Sequence, residues 1–162
     1  MQAHPHSAHP HSAHPRPVHV SPVHVSPPAL RLLATSRAAL REAQRAESAP
    51  ERYATAHLAA LRAAAAILAA RARPGDARTR RPTSAWVLLS TVAPELGEWA
   101  AYFAAGADKR AAALAGMRSA VTPREADDLL RDATTFLALV ETTLGLLADE
   151  SPSCAPVFHR AG

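Results

Sequence analysis

The stretch that decides the fold runs from Thr122 to Glu150 and reads TPREADDLLRDATTFLALVETTLGLLADE. Its first four residues, Thr122-Pro123-Arg124-Glu125, have the pattern of a capping box. The Thr hydroxyl accepts from the third helical N–H, and the Glu carboxylate reaches back to the Thr N–H. Proline suits the first helical position, where its missing N–H would have no partner anyway. Beyond this start Ala126, Leu129, Leu130, Ala133, Phe136 or Leu137, Val140, Leu144 and Leu147 recur at three- and four-residue intervals. That period is one face of an α-helix, and it predicts a helix from Pro123 to about Asp149.

Working toward the N-terminus, the same grammar repeats. Asp108–Leu114 adds a few helical turns, ended by Gly116, and Gly106 interrupts the segment before it. Glu95 to about Ala105 carries Leu96, Trp99 and Phe103 at helical spacing after the break at Pro94. Thr83 or Ser84 caps a short helix, Ala85–Thr91, with Trp86 and Leu89. Ser48-Ala49-Pro50-Glu51 is a second capping box, opening a helix to about Arg73. Its expected apolar stripe is Leu58, Leu61, Ala65 and Leu68, and Pro74-Gly75-Asp76 stops it before a basic loop, Ala77–Pro82. A first helix spans Ala29 to about Glu47, with Leu30, Leu33, Arg37 and Leu40 on one side. The sum is an all-α, up-and-down helical bundle of four to five helices.

Composition agrees with that class. Alanine supplies 40 of 162 residues, aromatics are 4%, and β-branched residues are scattered; a sheet needs runs of exactly those scarce types. The chain divides into a disordered His/Pro-rich extension at 1–28, a helical domain at 29–149 and a short C-terminal tail at 150–162. The extension holds seven of the nine histidines and half of the 14 prolines. Prolines at that density remove backbone donors, and so little apolar surface cannot offset ordering entropy. His-rich tracts bind metal ions, but no coordination geometry is specified here, so neither a metal site nor a cofactor is assigned. Cys154 stands alone, which excludes an internal disulfide. The longest apolar run, Ala63–Ala70, is short for a bilayer, and no apolar signal core opens the sequence. We therefore expect a cytoplasmic protein without a membrane partner.

The net charge of +4 conceals a split. Residues 29–81 hold eleven arginines against four acids, whereas 82–162 hold six basic and ten acidic groups. A local phosphate-binding face is compatible with this distribution. Ala-rich helices contribute little apolar area each, so pairing with a second copy as a homodimer is expected.

Two residues carry the candidate chemistry, Arg52 and His57, spaced R-x4-H in ERYATAHLAALRAAAAIL. Five residues turn the helix by about 500°, which leaves the side chains roughly 140° apart. Arg52 lies in the first turn, where its long side chain is able to bend toward a groove lined by His57. Histidine exchanges protons near neutral pH, and arginine holds phosphate by paired hydrogen bonds. Together they would promote attack of a ribose 2′-OH on its own phosphate without a metal. The alternative is a buried His57 and an Arg52 in a solvated helix start. Glu125, Asp127, Asp128 and Asp132 crowd a helix N-terminus, where carboxylates serve capping electrostatics rather than metal binding. Trp86, Trp99, Tyr102 and Phe103 are expected as core or dimer anchors.

Three separated blocks carry a family resemblance: ERYATAHLAALRAAAAILAARARP, RPTSAWVLLSTVAPELGEWAAYFAAGADKRAAALAG and DDLLRDATTFLALVETTLGLL. Over Leu30–Leu147 the chain resembles the actinobacterial SAV_6107-like family of HEPN domains. The resemblance implies an up-and-down helical bundle, commonly dimeric. It also implies an RNA-related role, since many HEPN proteins are metal-independent ribonucleases or RNA-binding partners in toxin–antitoxin, defence and RNA-processing systems. Arg52 and His57 are the pair that matches the family's R-x4–6-H motif. Two readings stay open. One is an RNA-associated domain that binds RNA or a protein partner, such as an antitoxin, without catalysis. The other is a metal-independent endoribonuclease using Arg52 and His57.

Overall fold

The computed structural model describes residues 25–71 and 84–147. The extension expected at 1–28 lies outside the described residues up to position 24, as do the basic loop Ala77–Pro82 and the tail at 150–162. Six α-helices and no strand occur among the described residues: α1 (Pro27–Arg45), α2 (Ala49–Arg71), α3 (Ala85–Val92), α4 (Gly97–Ala105), α5 (Ala107–Leu114) and α6 (Pro123–Thr143). One 3-10 turn, Pro94–Leu96, leads into α4, and another, Arg118–Ala120, precedes α6. Gly106 keeps right-handed dihedrals (φ −81°, ψ −6°) between α4 and α5. These two are therefore one bent unit, and the architecture is the expected all-α bundle.

α1 and α2 form an antiparallel hairpin. Ser36, fully buried in α1, donates its hydroxyl to Ala59 O at 2.8 Å, and Arg62 Nη1 donates to Thr35 O at 3.1 Å. α6 lies against both helices. Arg52 at the start of α2 pairs with Asp127, and Arg37 of α1 pairs with Glu141. α3 to α5 close the remaining side. Their joint to α2 is Arg71, which donates to Val92 O at 3.1 Å and to Glu95 at 2.6 Å. The core is sealed by aromatic contact. Phe103 stacks on Trp86 with centroids 5.3 Å apart and meets Phe136 at 5.2 Å. Trp86 and Phe103 are buried and Trp99 is half-buried, whereas Tyr102 is exposed and donates to Asp132 at 2.6 Å.

Helix ends follow their local chemistry. The box at Thr122 forms in both directions. At Ser48 the hydroxyl accepts from Glu51 N at 3.3 Å. α1 begins at Pro27, two residues before the expected start, and Val25 is buried. α6 ends at Thr143 rather than near Asp149. Gly145 adopts φ +71°, its N–H bonds Thr142 O at 2.9 Å, and the Leu146 N–H bonds Glu141 O at 2.9 Å. This is a Schellman stop, which glycine enters without a Cβ penalty. Leu147 therefore falls beyond the helix and is exposed.

Two expected faces are corrected. In α2 the stripe Leu58, Leu61, Ala65 and Leu68 is only half-buried, and the buried residues are Tyr53, Ala54, Ala56, His57, Ala59, Ala60, Ala63, Ala64, Ala66 and Ile67. α2 sits between α1 and α6, so small side chains let both backbones approach. In α1, Leu33 and Leu40 are buried, but Leu30 is 44% exposed and Arg37 turns to Glu141. By length and composition α2 is also apolar enough to cross a membrane, although 56% of its most apolar window is buried inside the bundle. A helix of that kind is the core helix of a packed domain as readily as a span.

Candidate functional site

His57 lies in the third turn of α2, on the side turned to α3 and α4, and is 2% exposed. Its Nε2 is 2.8 Å from Phe103 O. A carbonyl only accepts, so Nε2 carries the proton and Nδ1 does not. The ring meets Trp86 and Phe103 edge-on, at 5.7 and 6.0 Å. Nδ1 is buried without a hydrogen-bond partner among the described residues. Burial pushes the imidazole pKa below its ordinary value; the Phe103 bond opposes this and the Arg110 charge adds to it. His57 is therefore a neutral imidazole at neutral pH.

Arg52 occupies the first turn of α2. Its Nη1 donates to Asp127 Oδ1 at 2.8 Å and its Nη2 to Ala46 O at 3.0 Å. The side chain is 21% exposed and ties the end of α1 to the start of α6. Arg52 and His57 thus engage different partners: one is held at the α1–α6 edge, the other inside the aromatic core. Within one chain the fold does not bring them to a common cleft.

The acids at the start of α6 are engaged as helix-end electrostatics suggests. Glu125 caps Thr122 and pairs with Lys109, and these contacts hold its carboxyl down at about 2. Asp128 accepts from Arg131 at 2.8 Å. Among the described residues no group of three or more His, Cys, Asp or Glu is placed to hold a metal ion.

Two features were not singled out from sequence. The first is a row of arginines on the solvent side of α1. Arg31, Arg41 and Arg45 are exposed, fall within about 80° of one another by the helical period, and form no ion pair among the described residues. The second is the polar surround of Gly106. A Cβ there would stand 2.7 Å from the Tyr53 hydroxyl and 3.5 Å from His57 Cδ2. Arg110 follows one turn later, and its Nε is buried without a partner among the described residues. The signal available in sequence was Gly106 itself, a glycine with helix on both sides.

Comparison with protein families gives a match to SAV_6107-like HEPN over residues 43–141, which spans the last residues of α1 through most of α6. The matched segment includes Arg52, His57, Gly106 and Arg110. No curated protein and no solved structure matches the chain.

Proposed function

Because the chain belongs to the SAV_6107-like HEPN family, we propose that it is an RNA-associated domain that binds its ligand without cutting it. One observation carries the choice of binding over cleavage. His57 is sealed in the core at 2% exposure, with its proton committed to Phe103 O. A general base must reach the hydroxyl it deprotonates, and His57 reaches only protein. The arginine row of α1 supports RNA as the ligand. Arg31 and Arg45 lie about 21 Å apart along the helix, and cations without carboxylate partners are available to neutralise phosphates. Such a role goes with the cytoplasm.

A protein partner is favoured by a separate observation, the half-exposed stripe Leu58, Leu61, Ala65 and Leu68 on α2. A second copy covering it would give the homodimer expected of an Ala-rich bundle.

The test is a single-stranded RNA assay in excess chelator that measures binding and cleavage together. Binding without cleavage is expected. Replacing Arg31, Arg41 and Arg45 by Gln should flatten the salt dependence, lowering the slope of log K against log salt by about 2. The endoribonuclease reading takes over if wild type leaves 2′,3′-cyclic phosphate ends and both Arg52→Gln and His57→Gln abolish them while staying helical.

A further inference from the structure

We propose that the notch formed by Glu98, Trp99 and Tyr102 of α4 with Asp132 of α6 receives the guanidinium of an arginine side chain from a protein partner. These four residues line one open cavity of about 340 Å³. Tyr102 follows Trp99 by three residues and Glu98 by four, so all three border one strip of the helix. The notch is within reach of solvent. Tyr102 is 45% exposed, Glu98 is exposed, and Trp99 and Asp132 are half-buried. It is also held in shape. Trp99 rests against Phe103 and Phe136, with centroids 6.0 and 5.7 Å away. The Tyr102 hydroxyl donates to Asp132 Oδ2 at 2.6 Å. The Trp99 and Tyr102 rings stand at 90° with centroids 6.2 Å apart, so a group in their corner meets aromatic surface on two sides.

Charge and surface together define the ligand. Neither Glu98 nor Asp132 has a cationic partner among the described residues. Arg131, next to Asp132 in sequence, is engaged with Asp128 at 2.8 Å. The notch therefore keeps the negative charges of Glu98 and Asp132. Burial and the hydrogen bond to Asp132 push the Tyr102 phenol pKa up, and the carboxylates of Asp132 and Asp128 act in the same direction. Such a rim repels a phosphate and draws a cation, and aromatic faces attract cations too. A calcium ion asks for about six to eight oxygen ligands, whereas the notch offers two carboxylates beside two rings. A guanidinium fits that set. It is flat and weakly hydrated, it stacks on aromatic rings, and its edge N–H groups bond carboxylates. The cavity is at the small end of the range for whole small-molecule ligands, about 300–1,000 Å³, and suits the tip of one side chain. Surface and ligand both differ from those of the RNA reading, so neither proposal stands on the other.

The experiment titrates the full chain with N-acetyl-arginine amide at constant ionic strength and follows the Trp99 indole N–H resonance. The chain has two tryptophans, and the buried Trp86 serves as internal control. A saturable shift of Trp99 at millimolar concentrations is expected, with Trp86 unmoved. N-acetyl-citrulline amide, the neutral isostere, should leave both unmoved, and N-acetyl-lysine amide should bind more weakly than the arginine compound. Glu98→Gln should weaken binding by about two- to fivefold, the range of an exposed ion pair. Tyr102→Ala should do the same through the lost ring. Glu98 is exposed, so Glu98→Gln keeps the test decisive should Tyr102→Ala unfold. Absence of a saturable shift, an equal shift with the citrulline compound, or binding undiminished in Glu98→Gln overturns the notch. Lysine binding as tightly as arginine overturns the choice of guanidinium. Free arginine carries a carboxylate that the rim repels; if it binds as well as the capped form, the protein source falls. If single-stranded RNA shifts Trp99 and the arginine compound does not, the notch is a base-stacking platform and the proposal falls.

Discussion

α2 and α6 pack against each other with opposite materials. α6 is amphipathic: Leu129, Phe136, Leu137 and Val140 face inward, while Arg124, Asp127, Arg131 and Thr135 face water. α2 is buried over about half its circumference, and seven of its ten buried residues are alanine. A peripheral helix needs one stripe of large side chains. A central helix between two neighbours needs small ones, because bulk on its inner arc would push both partners away. The same rule places α2's own leucines outward, at half-burial. Size and position are therefore coupled in this bundle, and each helix should fail under the opposite kind of substitution.

The largest effect is expected in α6. Phe136 is fully buried and touches the rings of Phe103 and Trp99. Phe136→Ala should cost about 3–5 kcal/mol, as deletion of a buried aromatic leaves a cavity. Denaturant unfolding would measure it. A loss below about 1 kcal/mol would mean that the aromatic cluster is not what joins α6 to α4.

In α2 the sign reverses. Ala63 is fully buried, and Ala63→Leu should cost about 1–3 kcal/mol through overpacking. Leu58→Ala, on the half-buried outer stripe, should cost less than Ala63→Leu when the protein is monomeric. If enlarging Ala63 is neutral while trimming Leu58 is severe, the inner and outer faces of α2 have been exchanged.

The sequence made one of these helices legible and the other only in outline. In α6 a single periodic stripe and a two-way cap point to the same face, and the burial of Ala126, Leu129, Ala133, Phe136, Leu137 and Val140 follows that pattern. In α2 the cap and extent were legible, but alanines recur on every face, so the leucines drew the eye to the wrong arc. The R-x4-H spacing had a related weakness. It fixes separation around the helix axis, not what each side chain meets, and burial of His57 depends on Trp86 and Phe103 from other helices. Tyr53 and Gly106 are 53 positions apart and meet only where α2 packs against the junction of α4 and α5, so no local pattern announces them.

The end of α6 offers a smaller test of what limits a stripe. Leu144 and Leu147 continue the apolar period, yet Gly145 at φ +71° stops the helix between them. Gly145→Ala places a Cβ in the left-handed region, at a cost of about 1–2 kcal/mol. Thermal unfolding should show the loss. A stabilised variant would instead mean that α6 continues toward Asp149, as its hydrophobic period alone implies.

The smallest effect separates the two helices by their buried polar groups. In α6 Glu141 is met by Arg37. In α2 His57 has one nitrogen bonded and the other without a partner among the described residues. Burial lowers the His57 pKa in the folded chain, while the unfolded chain keeps a value near 6.5. Below about pH 6.5 the unfolded state then binds more protons than the folded one, and stability falls with falling pH. The contribution is intact above pH 6.5 and declines until the folded pKa is reached. Stability is therefore expected to be lower at pH 5.5 than at pH 7. Urea unfolding at both pH values measures it, and His57→Leu should flatten the dependence over that interval. An equal pH slope in wild type and His57→Leu would assign the titration to another group, because a leucine cannot take up the proton that the buried imidazole refuses.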